Sequence, residues 1–194
     1  MESTYTLYGS TTSPFVRRIR LVLGTIPYTF KTVNLHDPAN RSDFEKITPI
    51  CKIPLLLHDN VKIFDSRIIY EYLNSLHWKH RISFNEQNKI TLVNELNDTF
   101  VSIFYLVRNQ LVPLQPNAYI LNLKRRIDEI FRFIEDTFEL ENLDSFAHIS
   151  LFCLIDWTIF RAQYQYDKLP KIAKFYDTWR NSPVTASTRP IEQV

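Results

Sequence analysis

The pattern of apolar residues changes near residue 77, and this change constrains the fold more than any other feature of the chain. Before it, short apolar runs alternate with stretches of helical periodicity, which is typical of a small α/β domain. After a polar connector at residues 77–85, apolar residues recur at helical spacing. The sequence therefore predicts two domains, one at residues 1–77 with strands and helices and one at residues 86–194 with helices alone.

The first domain has the predicted order β-α-β-α-β-β-α. The predicted strands are Tyr5–Tyr8, Ile26–Val33, Ile53–Leu57 and Val61–Phe64, and the predicted helices start at Pro14, span Ser42–Ile47, and start at Asp65-Ser66. In the second domain, the helical stripes are Leu92–Leu111, Leu123–Phe138, the almost wholly apolar Ile149–Phe160, and Leu169–Trp179. This order restricts the architecture without fixing a function.

Composition excludes several classes of protein. The net charge is +2, and the tightest basic cluster, Arg17, Arg18 and Arg20, is more typical of a solvated face or a paired network than of a nucleic-acid site. The two cysteines and five histidines show no metal-ligand spacing, so we expect no metal. With two glycines in the chain, a glycine-rich phosphate loop is not expected.

The sequence also favours a reducing, cytoplasmic setting without a membrane. Residues 1–8 are polar and lack the apolar core of a signal peptide. No segment approaches the roughly 18 apolar residues needed to span a bilayer.

Three short motifs could carry chemistry, although each has a structural interpretation as well. Ser13-Pro14 places a hydroxyl at a helix start, where it is either a simple N-cap or a donor to an anion. Pro54 enters an apolar strand, and a cis Ile53–Pro54 bond would expose the backbone of Ile53 to a ligand. Asp65-Ser66 caps a further helix and could also hold amino and carboxylate groups.

Taken together, these motifs resemble the glutathione transferases. Ser13-Pro14-Phe15-Val16, Lys52-Ile53-Pro54 and Asp65-Ser66 are similar to the serine enzymes of tau and related bacterial type. The stretch from Ile149 to Arg161 resembles the buried helix of that family, so the likeness covers nearly the whole chain. It implies a thioredoxin-like first domain, a helical bundle as the second domain, glutathione as co-substrate, and a homodimer.

The resemblance also implies roles for individual residues. Ser13 would donate its hydroxyl hydrogen to the glutathione sulfur, helped by the helix dipole and Arg17. Ile53, before Pro54, would pair with the cysteinyl backbone, Lys52 would face the glycine carboxylate, and Asp65 and Ser66 would hold the γ-glutamyl end. The residues expected at the electrophile pocket are Phe15, Phe104 and Arg108, with core packing the favoured role of Phe100 and Phe104.

Two positions depart from the family pattern. Cys51 stands where glycine is common, and we interpret it as structural or as a mixed-disulfide site. In the capping pattern Ser145-Phe146-Ala147-His148, a histidine stands where the family has an acid, which predicts a weaker helix start.

The leading hypothesis is conjugation of glutathione to small apolar electrophiles for detoxification. The alternative is a non-catalytic binding or regulatory relative, of the stringent starvation protein A type.

Overall fold

The computed structural model describes residues 5–111 and 117–192. Their contacts group into two units, one made of residues 5–82 and 182–192 and the other of residues 83–181 without 112–116. The elements of the first unit are β1 Tyr5–Gly9, α1 Pro14–Leu23, β2 Tyr28–Thr32, α2 Pro38–Glu45, β3 Leu55–His58, β4 Val61–Ile63, α3 Ser66–Leu73, a π-helical turn Asn74–Trp78 and α8 Pro183–Ala186. The predicted order β-α-β-α-β-β-α is confirmed.

The first unit is built on a four-stranded mixed sheet in the order β2-β1-β3-β4. β1 pairs parallel with β2 and antiparallel with β3, and β3 pairs antiparallel with β4. Helix α1 buries Val16, Ile19 and Leu23, which lie at helical spacing, and α1 packs against α3. The core of this unit therefore lies between the sheet and the apolar faces of its helices.

The second unit is helical, as the sequence predicts. Its elements are α4 Phe84–Arg108, α5 Ala118–Thr137, α6 Phe146–Phe160 and α7 Pro170–Trp179. Helix α6 is buried along nearly its whole length and packs against α4 and α7. The buried face of α4 ends at Phe100, so Val107 and Leu111 are exposed although they continue its apolar spacing. None of the helices in these described ranges is long and apolar enough to cross a membrane.

Three elements of the first unit begin two or more residues from their predicted starts. Helix α2 begins at Pro38 instead of Ser42, because Asp37 accepts a hydrogen bond from the N–H of Asn40 at 2.9 Å and so caps an earlier start. Strand β3 begins at Leu55, after Pro54, which has no N–H to donate to the sheet. The predicted strand Ile26–Val33 is shorter at both ends, at Tyr28–Thr32.

The segment 182–192 groups with the first unit, whereas the sequence analysis assigned all residues from 86 onward to the helical domain. The buried guanidinium of Arg17 explains the grouping, since its Nε donates to Thr188 Oγ1 and its Nη2 to the Thr185 carbonyl, both at 3.3 Å. A charged group with 3% exposure requires such partners.

The start of α6 is held by a residue from another helix. Ser145 Oγ accepts from the N–H of His148 at 3.2 Å, and the carboxylate of Glu86 on α4 accepts from the N–H of Ala147 at 3.1 Å. The His148 ring is 3.0 Å from Asp144 and serves no capping role through its side chain. The acid that the family pattern supplies within α6 is thus replaced by Glu86, so the expected weakness of this helix start is offset.

We expect Glu86→Ala to destabilise the fold by about 1–2 kcal/mol, because it removes a charge-assisted hydrogen bond at a helix N-terminus. In a chain of this size, this lowers the melting temperature by roughly 2–8 °C. Glu95→Ala is the matched control, since Glu95 lies on the same helix and forms an exposed ion pair with Arg126 at 3.5 Å. Equal losses of stability in the two variants would contradict the capping role of Glu86.

Candidate functional site

The sheet brings three of the predicted motifs to one end of the first unit. In the antiparallel register, Tyr8 lies opposite Leu55, so β1 ends where β3 begins. Leu56 lies opposite Ile63, so β4 ends there as well. The loop after β1, the turn before β3 and the start of α3 therefore leave the sheet at the same edge, carrying Ser13, Lys52, Ile53, Pro54, Asp65 and Ser66.

Ser13 is the N-cap of α1 and is half-buried. Its Oγ accepts a hydrogen bond from the N–H of Val16 at 3.3 Å. Capping uses an oxygen lone pair and leaves the hydroxyl hydrogen, for which no acceptor occurs in the described part of the chain. The N-cap interpretation is therefore correct, and it is compatible with a donor to an anion at the positive end of the helix.

The Ile53–Pro54 bond is cis, which is the conformation expected to expose the backbone of Ile53 to a ligand. The side chain of Ile53 packs against the cluster of Val33, Phe44 and Leu55. Its backbone N–H and C=O have no partner among residues 5–111 and 117–192. Such groups are available for main-chain pairing with an extended ligand. Lys52 beside it is exposed, with no carboxylate of the described residues in ion-pair range.

Asp65 caps α3 and leaves donors at its start. One oxygen of Asp65, Oδ1, accepts from the N–H groups of Arg67 at 2.9 Å and of Ile68 at 3.4 Å. The N–H of Ser66, the first of the helix, donates to no acceptor among the described residues. This helix start thus combines an N–H, a hydroxyl and a carboxylate, with Ser66 only 1% exposed.

Arg18 is a site residue that the sequence analysis did not single out. Its side chain is 2% exposed, and its Nε and Nη2 donate to Ser66 Oγ at 3.1 and 2.5 Å. Because the Ser66 hydroxyl accepts both bonds, its hydrogen is left to donate to a further acceptor. The guanidinium also lies 5.0 Å from the ring centroid of Phe15, a predicted pocket residue. The basic cluster is therefore a paired network. The sequence signal that could have identified Arg18 is its position next to the apolar stripe of α1.

The segment 182–192 lies against the loop that carries Ser13. Thr11 Oγ1 donates to the carbonyl of Ile191 at 2.7 Å, and Arg20 Nη2 donates to the carbonyl of Ser187 at 3.4 Å. Together with the bonds of Arg17, these contacts hold the segment 182–192 against α1 and the loop before it. The resemblance implies that Arg17 helps to ionise a thiol, but its guanidinium is engaged by this segment.

Cys51 has a backbone φ of 44°, in the left-handed region that favours glycine. This conformation is a physical reason for glycine at the corresponding position of the family pattern. Burial, followed by the charge of Glu45, raises the pKa of the Cys51 thiol, while Arg41 lowers it by less. A raised pKa disfavours the reactive thiolate at neutral pH and supports the structural interpretation over a mixed-disulfide site.

We expect Cys51→Gly to be more stable than Cys51→Ala by about 1 kcal/mol, since glycine adopts positive φ without the steric cost that alanine retains. Denaturant unfolding of the two variants measures the difference. The control is Lys52, whose φ is not positive: there the alanine variant should be more stable than the glycine variant. If glycine is no better than alanine at residue 51, the backbone argument is wrong.

The other predicted pocket residues belong to the second unit. Phe104 is half-buried on α4, with the guanidinium of Arg161 5.1 Å and that of Arg108 5.9 Å from its ring centroid. Trp157 meets the same ring edge-on at 5.6 Å. Phe100, by contrast, is 2% exposed and packs against Phe131, which matches its favoured core role. Among the described residues, no group of three metal-binding side chains lies close enough to hold a metal ion.

Comparisons with known proteins find similar sequences and similar folds. Residues 7–80 match the family model described as the N-terminal domain of glutathione S-transferase. A glutathione S-transferase from Triticum aestivum is 27% identical over 204 residues, covering 96% of this chain and 93% of that protein.

Two solved structures have the same fold over nearly their full length. A glutathione S-transferase from Methylobacillus flagellatus KT with bound glutathione has a TM-score of 0.79 and 23% identity, covering 96% of this chain and all of that one. A glutathione transferase family member from Pseudomonas fluorescens Pf-5, also with bound glutathione, has a TM-score of 0.80 and 23% identity, covering 97% and 100%. Residues 7–80 thus match a glutathione S-transferase N-terminal domain, and over 96% of its length the chain is similar in sequence to a glutathione S-transferase.

Proposed function

We propose that this chain is a glutathione transferase in which the Ser13 hydroxyl stabilises the thiolate of bound glutathione. The observation that carries the proposal is the state of Ser13: its oxygen is already used as a helix cap, and its hydrogen has no acceptor among the described residues, so it is free to donate to a ligand. A sulfur anion at the N-terminus of α1 is an acceptor that the helix dipole also favours.

The remaining motifs match the other parts of the tripeptide. The unpaired N–H and C=O of Ile53 suit the cysteinyl backbone, and the exposed ammonium of Lys52 suits the glycine carboxylate. The N–H and hydroxyl of Ser66 suit the γ-glutamyl carboxylate, and Asp65 suits its ammonium group. Arg18 fixes the hydroxyl of Ser66 in this arrangement by two hydrogen bonds.

The chemical role of Ser13 is to change the ionisation of a thiol. A free thiol with a pKa of about 8.5 is a thiolate to only a few per cent at neutral pH. A charge-assisted hydrogen bond worth about 1.5–3 kcal/mol lowers the pKa by roughly one to two units and makes a quarter to three quarters of the thiol ionised. The proton passes to solvent, the sulfur attacks an electrophilic carbon, and the carbon–sulfur bond forms as the leaving group departs with its electron pair.

The second substrate is proposed to be a small apolar electrophile. Phe15, Phe104 and Arg108 remain the proposed contacts, and holding the electrophile near the sulfur contributes orientation and exclusion of water. By analogy with the family, we also propose a cytoplasmic homodimer with a detoxifying role. Light scattering of the purified chain measures the oligomeric state.

Two assays separate this proposal from a non-catalytic relative. The chain should be retained on immobilised glutathione and released by free glutathione, and it should conjugate glutathione to a generic aromatic halide. Retention without conjugation favours the binding or regulatory alternative. Loss of both would reject a glutathione site altogether.

A further inference from the structure

A second recess lies wholly within the helical unit, separate from the residues assigned to glutathione. It is an open cleft of about 690 Å³ between the end of α6, the segment 161–169 and α7. Three tyrosines, Tyr164, Tyr166 and Tyr176, line it together with aliphatic side chains of α6. Neither the proposed catalysis nor the glutathione site uses these residues.

The tyrosine rings of the cleft are polarised by the groups behind them. Tyr164 donates its hydroxyl to Asp128 Oδ1 at 2.8 Å, and Tyr176 donates to Asp156 Oδ1 at 2.6 Å. Donation to a carboxylate increases the electron density of a phenol ring and so strengthens its negative face. The hydroxyl of Tyr166 is instead hydrogen-bonded to Thr158, and its ring lies 5.1 Å from that of Tyr164, so the two rings of the cleft that donate to carboxylates are Tyr164 and Tyr176.

Two carboxylates add to the negative potential at the rim. Asp167 and Asp177 line the cleft and are both exposed. The pKa of Tyr164 is raised, first by burial and then by the hydrogen bond and charge of Asp128; Arg132 opposes this shift and Asp167 adds to it. The charged side chains that line the cleft are two carboxylates and one guanidinium, that of Arg180. This balance favours a cationic occupant although the chain as a whole has a net charge of +2.

Arg180 shows the kind of group that this wall accepts. Its guanidinium lies 5.9 Å from the ring centroid of Tyr176, and its Nε is 3.3 Å from Asp177 Oδ1. Both side chains of this ion pair are more than half exposed, at 51% and 63%. Exposed pairs of this kind are weak, so a ligand cation that also buries apolar surface can take the place of the guanidinium.

We propose that this cleft binds a small organic cation with an apolar part, such as an aryl-substituted quaternary ammonium ion. The tyrosine faces attract the cationic centre, the carboxylates of Asp167 and Asp177 neutralise it, and the aliphatic floor receives the apolar part. An onium group needs no hydrogen-bond acceptor, which suits a recess whose phenol hydroxyls are already engaged with Asp128, Asp156 and Thr158.

The test is isothermal titration of the full chain with benzyltrimethylammonium at physiological ionic strength, with benzenesulfonate as an anion of similar size. We expect binding in the millimolar range or tighter for the cation and at least tenfold weaker binding for the anion. The double variant Asp167→Asn, Asp177→Asn should weaken cation binding about tenfold. Tyr164→Leu should do the same, provided that its circular dichroism spectrum is unchanged.

The matched control is Asp136→Asn, Glu139→Gln, which removes two exposed carboxylates that do not line the cleft. It should bind the cation as the parent chain does. The proposal is overturned if no binding is detected at a cation concentration tenfold above 1 mM, or if benzenesulfonate binds as tightly as the cation. It is also overturned if the Asp136, Glu139 variant loses as much affinity for the cation as the Asp167, Asp177 variant. Since the titration needs neither glutathione nor turnover, its result is independent of the proposed catalysis.

Discussion

Ser13→Ala is expected to lower the rate of conjugation at neutral pH by roughly eightfold to twenty-fivefold, in proportion to the fraction of bound thiol that is ionised. This range follows from the loss of one charge-assisted hydrogen bond, which returns the pKa of the bound thiol towards that of the free thiol by about one to two units. The affinity for glutathione should change less than about threefold, because most of the proposed contacts lie at other residues. Steady-state kinetics with an aromatic halide measures both quantities.

The pH dependence distinguishes this role from a purely structural one. The hydroxyl lowers the thiol pKa, so the ratio of the parent rate to the Ser13→Ala rate is greatest below the lowered pKa and approaches one as the pH rises through about 8.5. The difference between parent and Ser13→Ala should therefore shrink at alkaline pH. Ser13→Thr, which keeps a hydroxyl, should recover much of the rate at neutral pH.

The loss of a helix cap needs its own control, because Ser13 Oγ also accepts from Val16. Ser83→Ala removes the corresponding cap of α4, where Ser83 Oγ accepts from the N–H of Glu86 at 3.1 Å. Each variant should lose about 1 kcal/mol of stability. Only Ser13→Ala should lose conjugation rate, and an equal loss in Ser83→Ala would assign the effect to stability.

Gly9→Ala is expected to have the largest effect on stability, at about 2–3 kcal/mol. A Cβ at residue 9 would lie 2.5 and 2.6 Å from the two γ-methyl carbons of Val16. Val16 is fully buried, so it cannot turn away into solvent. The melting temperature should fall by roughly 4–12 °C.

A double-mutant cycle tests this contact directly. Val16→Ala removes the two methyl groups that meet the new Cβ, so it should cost less in the Gly9→Ala chain than in the parent, with a coupling of at least about 1 kcal/mol. Val93→Ala, at a fully buried residue of the other unit, should add independently to Gly9→Ala. If the losses of stability in Gly9→Ala and Val16→Ala are additive in the double variant, the contact argument is wrong, because β1 and α1 could then move apart at no cost in stability.

Much of the fold follows from the order of short motifs in the chain. Periodicity and turn residues predict the seven elements of the first domain and the four long helices, because each has a local cap or an apolar face. The start of α2 was wrong because the polar sequence after Pro38 hides the helix, although the Asp37-Pro38 cap and N1 proline were a readable signal. The segment 182–192 could not be assigned, since its grouping depends on bonds to Arg17 about 170 residues away.

The candidate site shows the same limit. Ser13, Ile53, Asp65 and Ser66 could be selected because each has a local signal at a helix start or a proline. The pairing of Arg18 with Ser66 and the cap that Glu86 supplies to α6 join residues 48 and 61 positions apart, so a single sequence contains no local pattern for them. Cys51 could be flagged as unusual, but its positive φ needed the structure.

The most direct test of the account is the ionisation of bound glutathione, followed by the ultraviolet absorbance of its thiolate as the pH is raised. With the parent chain, the midpoint should lie about one to two units below that of free glutathione. With Ser13→Ala, it should return close to the free value. The same lowered midpoint in both proteins would contradict the central claim, because the hydroxyl of residue 13 would then have no part in stabilising the sulfur anion.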